Sequence, residues 1–425
     1  MKVLIVGAGL LGVTSAYYLR RSGCEVTVLE RKDGAALETS FANGALLTPS
    51  MPEPWNAPGC WRVLLRSLAR SDAAMQLRLK ALPKLMSWGM AFLRNANEDQ
   101  YERSTLSNLH LALRSLELMS ALRAETGIEY GRLSRGTLRI FRDRQSLELA
   151  EKAADKLGRH GLEFKRLSRA EVISLEPALS PIAEELAGAL HYEGDETGDA
   201  HTFCVRLARI AAEMGVQFHF CSTVRAIECR SDRIAAVVCN RNRLVADRYV
   251  MAAGSYSGPL LQSIGVHLPI QPVKGYSVTL KRGSSGSGLE IPVIDDALHA
   301  GVVPLGDRIR VVGTAEFAGF DLALRPERIQ NLMRLLREVI PVEPLNLESA
   351  QAWCGLRPMS ADGVPIVSDT PLSNLFVNTG HGHLGWTLAV ASGQMLAELV
   401  TGRTPSFDPR AYALSRFARG YARRR

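Results

Sequence analysis

The hydrophobic pattern changes period several times along the chain, and those changes outline its elements. An apolar β-run over Val3–Val6 breaks into Gly7, Gly9 and Gly12, and a second β-run, Glu25-Val-Thr-Val-Leu-Glu30, follows the intervening helical stretch. Residues 62–125 read as helices, with apolar positions such as Leu109, Leu113, Leu116 and Met119 at helical spacing and few β-branched residues. A strand is predicted over Gly136–Phe141 and an amphipathic helix over Ser146–His160. Beyond Asp195-Glu-Thr-Gly-Asp-Ala-His201 the βα pattern resumes, with a helix over Thr202–Met214, a strand over Val216–Phe220 and β-runs over Thr223–Glu228, Arg233–Cys239 and Leu244–Ala252. Period-two alternation then dominates from Gly265 to Leu347, with strands at Tyr276–Leu280 and Ile309–Val312, a loop at Gly283–Gly288 and one helix over Glu327–Ile340. The last block holds Trp353-Cys-Gly-Leu-Arg-Pro358, a strand over Leu375–Asn378 and a Gly-rich run from Gly380 that opens a helix.

The βα stretches interrupted by two excursions predict an α/β fold: a Rossmann-type nucleotide-binding domain, discontinuous in sequence (1–58, 195–260 and 350–425), with an α+β, sheet-based substrate domain (59–194 and 261–349). The opening unit carries chemistry. Gly7 permits the tight turn, Gly9 lets backbone approach a pyrophosphate, and Gly12 lets the helix sit close to the strand. Ala8 and Leu10 complete the turn, and the helix offers unpaired N–H groups to phosphate. Glu30, followed by Arg31, ends the second strand where a carboxylate accepts ribose hydroxyls, and its charge would repel a 2′-phosphate, which favours NAD or FAD over NADP.

Composition narrows the class. The 425 residues are 46% hydrophobic and 22% charged, ordinary for a globular enzyme of two or three domains. No segment has about 18 consecutive apolar residues, so no transmembrane helix is expected, and the first core strand leaves no room for a cleaved signal. Seven scattered cysteines without a CxxC pair, and histidines without ligand spacing, point to reduced thiols in a cytoplasm and to no metal. The net charge of +8 is concentrated in Arg416, Arg419, Arg423, Arg424 and Arg425, either a solvated tail or an attraction to an anionic membrane, and nothing suggests nucleic acid.

Gly-rich or small-residue turns recur at Thr39–Gly44, at Ala253-Gly254 and at Gly380–Gly385, more than one NAD site needs. One long ligand threaded through a discontinuous domain fits them, and FAD is such a ligand. The run from Gly7, Glu38-Thr-Ser-x-Ala-Asn43, Asp195-Glu-Thr-Gly-Asp199, Gly254-Ser-Tyr-Ser257, Lys274-Gly-Tyr-Ser277, Gly355-Leu-Arg-Pro-Met359 and Asn378-Thr-Gly-His-Gly-x-Leu-Gly-Trp386 together resemble the small FAD-bearing subunits of the bacterial D-amino-acid dehydrogenase family. That family lies within the wider D-amino-acid oxidase, glycine oxidase and sarcosine oxidase superfamily. The resemblance runs in order across nearly the whole chain.

It implies oxidative deamination of D-amino acids to 2-oxo acids and ammonia by hydride transfer to the flavin, with electrons passed to a membrane quinone or other acceptor by a protein peripheral on the inner membrane. By the same resemblance Gly7, Gly9, Gly12 and Glu30 contact the adenosine and pyrophosphate, Thr39, Ser40, Asn43 and Gly44 form a second flavin-contacting turn, and Val224, Ala253 and Gly254 supply further contacts. Gly380, Gly382, His383, Leu384 and Gly385 form the flavin-ring loop, with Gly355 beside it. Arg357, in a Gly-x-Arg-Pro turn, is expected to hold the substrate α-carboxylate bidentately, unless it pairs with Asp362. Tyr276 is a second candidate contact or a core tyrosine, and His383 with His381 are candidates for acid–base work or simply for placement in the loop. Cys354 invites comparison with relatives that attach flavin covalently, although non-covalent binding is expected here. A D-proline or D-hydroxyproline (cyclic imino acid) dehydrogenase, a subunit acting mainly in electron transfer, and a plain NAD dehydrogenase remain as alternatives.

Overall fold

The computed structural model describes residues 1–62, 75–78, 81–283, 288–341 and 345–417. A six-stranded sheet runs in the order Ile366–Asp369, Leu375–Thr379, Arg248–Met251, Lys2–Val6, Glu25–Leu29, Gln217–His219, parallel except for its first strand. The opening strand lies at its centre, with Val6 opposite both Leu29 and Met251. Burial on both faces accounts for its unbroken apolar character. The helix Leu10–Arg21 follows, packed against the C-terminal helix Gly385–Thr401 and the helix Ala200–Glu213 around one continuous core.

A larger sheet carries the two excursions. Its path is Leu345–Ser360, Ile270–Arg282, Arg308–Phe317, Ala300–Leu305, Val293–Asp295, Thr137–Phe141, Gly188–Tyr192 and Lys165–Leu167, and Met75–Leu77 pairs with the end of Arg308–Phe317. The helix Pro326–Val339 covers one face through Leu332, Leu336 and Val339. Two expectations on this sheet change. Trp353–Pro358 is a stretch of extended strand, not a turn, because every residue from Trp353 to Ser360 pairs with Ile270–Ser277. That strand stays in the larger sheet to Ser360, so a boundary at residue 350 falls within it.

Other departures are local. Val224–Arg230 and Arg233–Cys239 form an antiparallel hairpin in a small three-stranded sheet, and the run Leu244–Ala252 divides into Asn242–Leu244 and Arg248–Met251. The long helical region contains the helices Leu82–Arg94 and Glu98–Thr126 with the strand Met75–Leu77 ahead of them. Glu98–Thr126 lies in an excursion, yet Leu111, Ala112, Leu118 and Met119 pack into the core of the nucleotide-binding side. Residues 63–74 and 79–80, most of the loop Gly283–Gly288, and Arg419 to Arg425 lie outside the described residues. Arg416 is not part of a solvated tail: its guanidinium grips both carboxylate oxygens of Asp362 and the carbonyl of Val364.

Candidate functional site

A single elongated cavity of about 650 Å³ runs from the first βα turn to the strand carrying Arg357. Its phosphate end is built by close approach. Gly7 sits at φ +106°, where a Cβ would lie 2.6 Å from the Ala252 carbonyl oxygen, and a Cβ on Gly12 would lie 1.8 Å from that of Gly7. A Cβ on Gly9 would meet nothing closer than Ser40 Oγ at 3.5 Å, so the space it leaves is cavity. The helix Leu10–Arg21 has no side-chain cap; Leu10 N–H donates to Ser40 Oγ at 3.2 Å. Glu30 accepts from the Ala8 N–H at 2.8 Å and from the Lys32 N–H at 2.9 Å. These bonds aim its carboxylate along the cavity wall.

Most of the residues expected at the cofactor line this cavity: Gly7, Gly9, Leu10, Glu30, Arg31, Thr39, Ser40, Asn43, Gly44, Val224, Ala253, Gly254, Gly355, Arg357, Gly382, His383, Leu384 and Gly385. Ala8, Gly12 and Gly380 do not reach its wall. They act behind it, Ala8 by holding Glu30, Gly12 by admitting the helix, and Gly380 by turning the chain at φ +81° ahead of the loop.

The far end belongs to the larger sheet. Alternation along Leu345–Ser360 sends Trp353, Gly355 and Arg357 to the cavity. Opposite, Gly275 makes room, because a Cβ there would lie 2.4 Å from the Arg357 guanidinium carbon. Thr39 Oγ1 and Ser255 Oγ both donate to the carbonyl of Leu356, at 2.8 and 3.1 Å, tying the Arg357 strand to the small-residue turns. Arg310, buried between the sheets, donates to the Asn43 carbonyl at 3.0 Å and to Thr279 Oγ1 at 2.9 Å.

Arg357 is the notable charge. Its exposure is to the cavity it lines, and burial within the wall pushes its pKa down to about 10, so it remains a cation at neutral pH. Among the described residues no carboxylate stands within ion-pair distance; its one protein hydrogen bond goes to the Thr314 carbonyl at 3.3 Å. Asp362, the alternative partner, is taken by Arg416. Trp55 presents its ring to the guanidinium at 5.7 Å and stacks on His383 at 5.4 Å, so a Pro-rich segment packs against both residues.

The other candidates divide. Tyr276 forms cavity wall, but its hydroxyl donates to Glu316 at 2.6 Å, whose buried carboxylate also faces the buried Lys274 and the partly exposed Arg78. Burial and then Arg357 push His383 down to about 4, and burial pushes His381 down to about 3; both are neutral imidazoles at pH 7. His381 lies on the cavity with Nε2 beside Ser392 Oγ at 2.8 Å. Cys354 faces away, its thiol donating to the Leu322 carbonyl at 3.2 Å, and it does not line the cavity.

Several wall residues have no contact role assigned from the sequence: Met51, Thr48, Ser222, Tyr256, Trp353 and Trp386. Trp353 had a signal, its two-residue spacing from Gly355 and Arg357. Met51 had none, because a Pro-rich loop has no period to read.

The residues present fit FAD. The glycine cradle leaves backbone bare for a pyrophosphate, Glu30 is set for ribose hydroxyls, and the start of the helix Gly385–Thr401, without a side-chain cap, meets the same cavity.

Comparison with known proteins agrees with this geometry. Residues 2–399 match the family described as FAD dependent oxidoreductase. The D-amino acid dehydrogenase of Methylobacterium radiotolerans is 43% identical over 419 residues, covering 98% of this chain and 100% of the relative. That of Paramagnetospirillum magneticum is 40% identical over 418 residues, covering 98% and 99%. Crystal structures of glycine oxidase from Geobacillus kaustophilus and L-proline dehydrogenase from P. horikoshii superpose with a TM-score of 0.77 each at 23% and 19% identity. They cover 97% and 99% of this chain, and 98% and 99% of their own, and share its fold.

Proposed function

The chain belongs to the FAD-dependent oxidoreductase family, and on that premise we propose that it oxidatively deaminates D-amino acids, yielding 2-oxo acids and ammonia, with electrons leaving to a quinone in the membrane. One observation carries the substrate reading. The Arg357 cation on the cavity wall, without a carboxylate partner among the described residues, is a site for a small anion, and an α-carboxylate matches its planar fork.

Bound FAD supplies the two-electron acceptor for the substrate Cα–H. The chain supplies the rest. Arg357 fixes the carboxylate, and with that point held the placement of the amine and side chain decides which enantiomer turns its Cα–H inward. Trp353 walls the site against water, and Trp55 packs against the Arg357 guanidinium. Burial and the Arg357 cation keep His383 a neutral imidazole and a weak base, so it forms ring surface beside Arg357 and does not carry a proton at neutral pH. Tyr276 contributes its ring, since its hydroxyl is committed to Glu316.

Among the described residues no helix is long and apolar enough to cross a membrane, so a lipid-borne acceptor has to be met at the protein surface. The test is anaerobic mixing of the yellow holoenzyme with D-alanine, D-proline and their L-enantiomers. Bleaching by the D-forms, reversed by a short-chain quinone, is the expected result. A flavin that stays oxidised with every D-amino acid would end the proposal.

A further inference from the structure

The Arg357 guanidinium rests on a defect in the larger sheet. Along the antiparallel pair Ile270–Arg282 and Arg308–Phe317, Gly275 stands opposite Ala315 and Tyr276 opposite Gly313, so Thr314 has no counterpart. On its other edge the strand changes neighbours at the same point: Ala300–Leu305 reaches only to Gly313, and Met75–Leu77 begins at Ala315. Thr314 is therefore the extra residue of a β-bulge, without a ladder partner on either side among the described residues.

Its conformation is unusual for its side chain. Thr314 stands at φ +61°, the one β-branched residue in the left-handed region among the described residues. Glycine is the residue such a bulge position favours. The hydroxyl does not compensate, because it is buried and has no hydrogen-bond partner. The strands on both sides hold the strain, and strain of this kind collects where the backbone has work to do.

The bulge frees a carbonyl. In an unbroken ladder the carbonyls lie in the plane of the sheet and bond the neighbouring strand, so a guanidinium on the face would find none. Arg357 starts one strand away, opposite Val273, and its side chain crosses the middle strand at Gly275, where a Cβ would lie 2.4 Å from the guanidinium carbon. Beyond Gly275 it meets the bulge, and Nη1 donates to the Thr314 carbonyl at 3.3 Å. Nε and Nη2 have no protein partner among the described residues, and Arg357 lines the cavity.

We propose that Thr314 is a positioning residue: its bulged, left-handed backbone holds Arg357 by Nη1 and turns the Nε–Nη2 edge to the cavity, where that edge receives the substrate carboxylate. This rests on the reading of Arg357 as the carboxylate site and names what sets its orientation.

Deletion of Thr314 tests it, because Gly313 and Ala315 already face consecutive residues and the register on both sides is kept while the free carbonyl is lost. In anaerobic flavin reduction by D-alanine, the FAD-loaded deletion variant is expected to bind substrate about tenfold more weakly or worse, with a limiting rate that falls much less. Thr314→Gly takes up the same φ without strain and is expected to hold the wild-type affinity. A deletion variant with wild-type affinity overturns the proposal, as does a Thr314→Gly variant as weak as the deletion. A crystal structure of the wild-type holoenzyme with propionate gives an answer that does not depend on the deletion folding. The carboxylate is expected on Nε and Nη2 with the Thr314 carbonyl still on Nη1; a guanidinium swung off Thr314 overturns the proposal. Arg357→Ala separates the two readings. Weak binding there beside wild-type binding by the deletion ends the positioning role and keeps the carboxylate site, whereas unchanged affinity in Arg357→Ala ends the carboxylate site and the positioning role with it.

Discussion

Arg357 and Asp195 show how burial sets the work of one charged residue. Arg357 is a cation whose counter-ion is to be the substrate, so truncating it removes one half of a buried charge pair. Arg357→Ala is expected to keep bound flavin, because its hydrogen bond goes to Thr314 rather than to the cofactor turns, and to raise KM for D-amino acids by about 10²–10³. Stopped-flow reduction across substrate concentrations measures this, and an unchanged KM would remove Arg357 from substrate binding. Asp195 is buried and accepts from Ser50 Oγ and Thr137 Oγ1, each at 2.5 Å, joining the Pro-rich segment to the larger sheet. Burial pushes its pKa from 3.8 up to about 7. A raised folded-state pKa means stability that is complete below the unfolded value and is lost as pH climbs through about 7. The melting temperature of Asp195→Asn should therefore hold relative to wild type as pH rises from about 4 to about 7, where the wild type falls; parallel curves would count against this assignment.

At the scale of elements, legibility followed period and punctuation. The opening βα turn, the strand Arg233–Cys239 and the helix from Gly385 were each visible because glycine or alternation marks their edges. The strand Leu345–Ser360 was not. Gly355 and Pro358 look like turn residues, and pairing with Ile270–Arg282, a partner distant in sequence, overrides that local preference. The same limit hid the Pro-rich loop, which lends Thr48 and Met51 to the wall and whose Trp55 packs on Arg357 and His383. The tightest element contact yields a sharp expectation. In Gly12→Ala the new Cβ would fall 1.8 Å from the Gly7 carbonyl oxygen, which is backbone and cannot swing away. The helix has to lift from the strand, so this variant should purify colourless or insoluble; a yellow, fully active Gly12→Ala would show that the turn tolerates such a shift.

For the molecule as a whole, the cavity is shared property. The smaller sheet and its helices bring the glycine cradle, Glu30 and the His381–Gly385 loop, while the larger sheet brings Gly275, Trp353 and Arg357, and Arg310 and Thr39 bridge the two. Removing FAD should therefore loosen both halves together. A hundredfold excess of FAD over its Kd stabilises the folded state by about 2.7 kcal/mol. Stripped protein should unfold at a lower temperature and recover on adding FAD; a melting curve indifferent to the cofactor would mean that it sits in no such shared cavity.

The strand order of the smaller sheet also dictates a timetable for biosynthesis. Its centre is made from residues 2–6, but the neighbour on one side is Arg248–Met251, which in turn waits for Leu375–Thr379. Until the ribosome has released nearly the entire polypeptide, the first strand has no complete sheet to join, and the helix that closes the flavin end does not yet exist. A chain truncated ahead of residue 375 would keep its dinucleotide fingerprint but lack the strand Leu375–Thr379 and the His381–Trp386 part of the cavity wall, and is expected to purify without flavin.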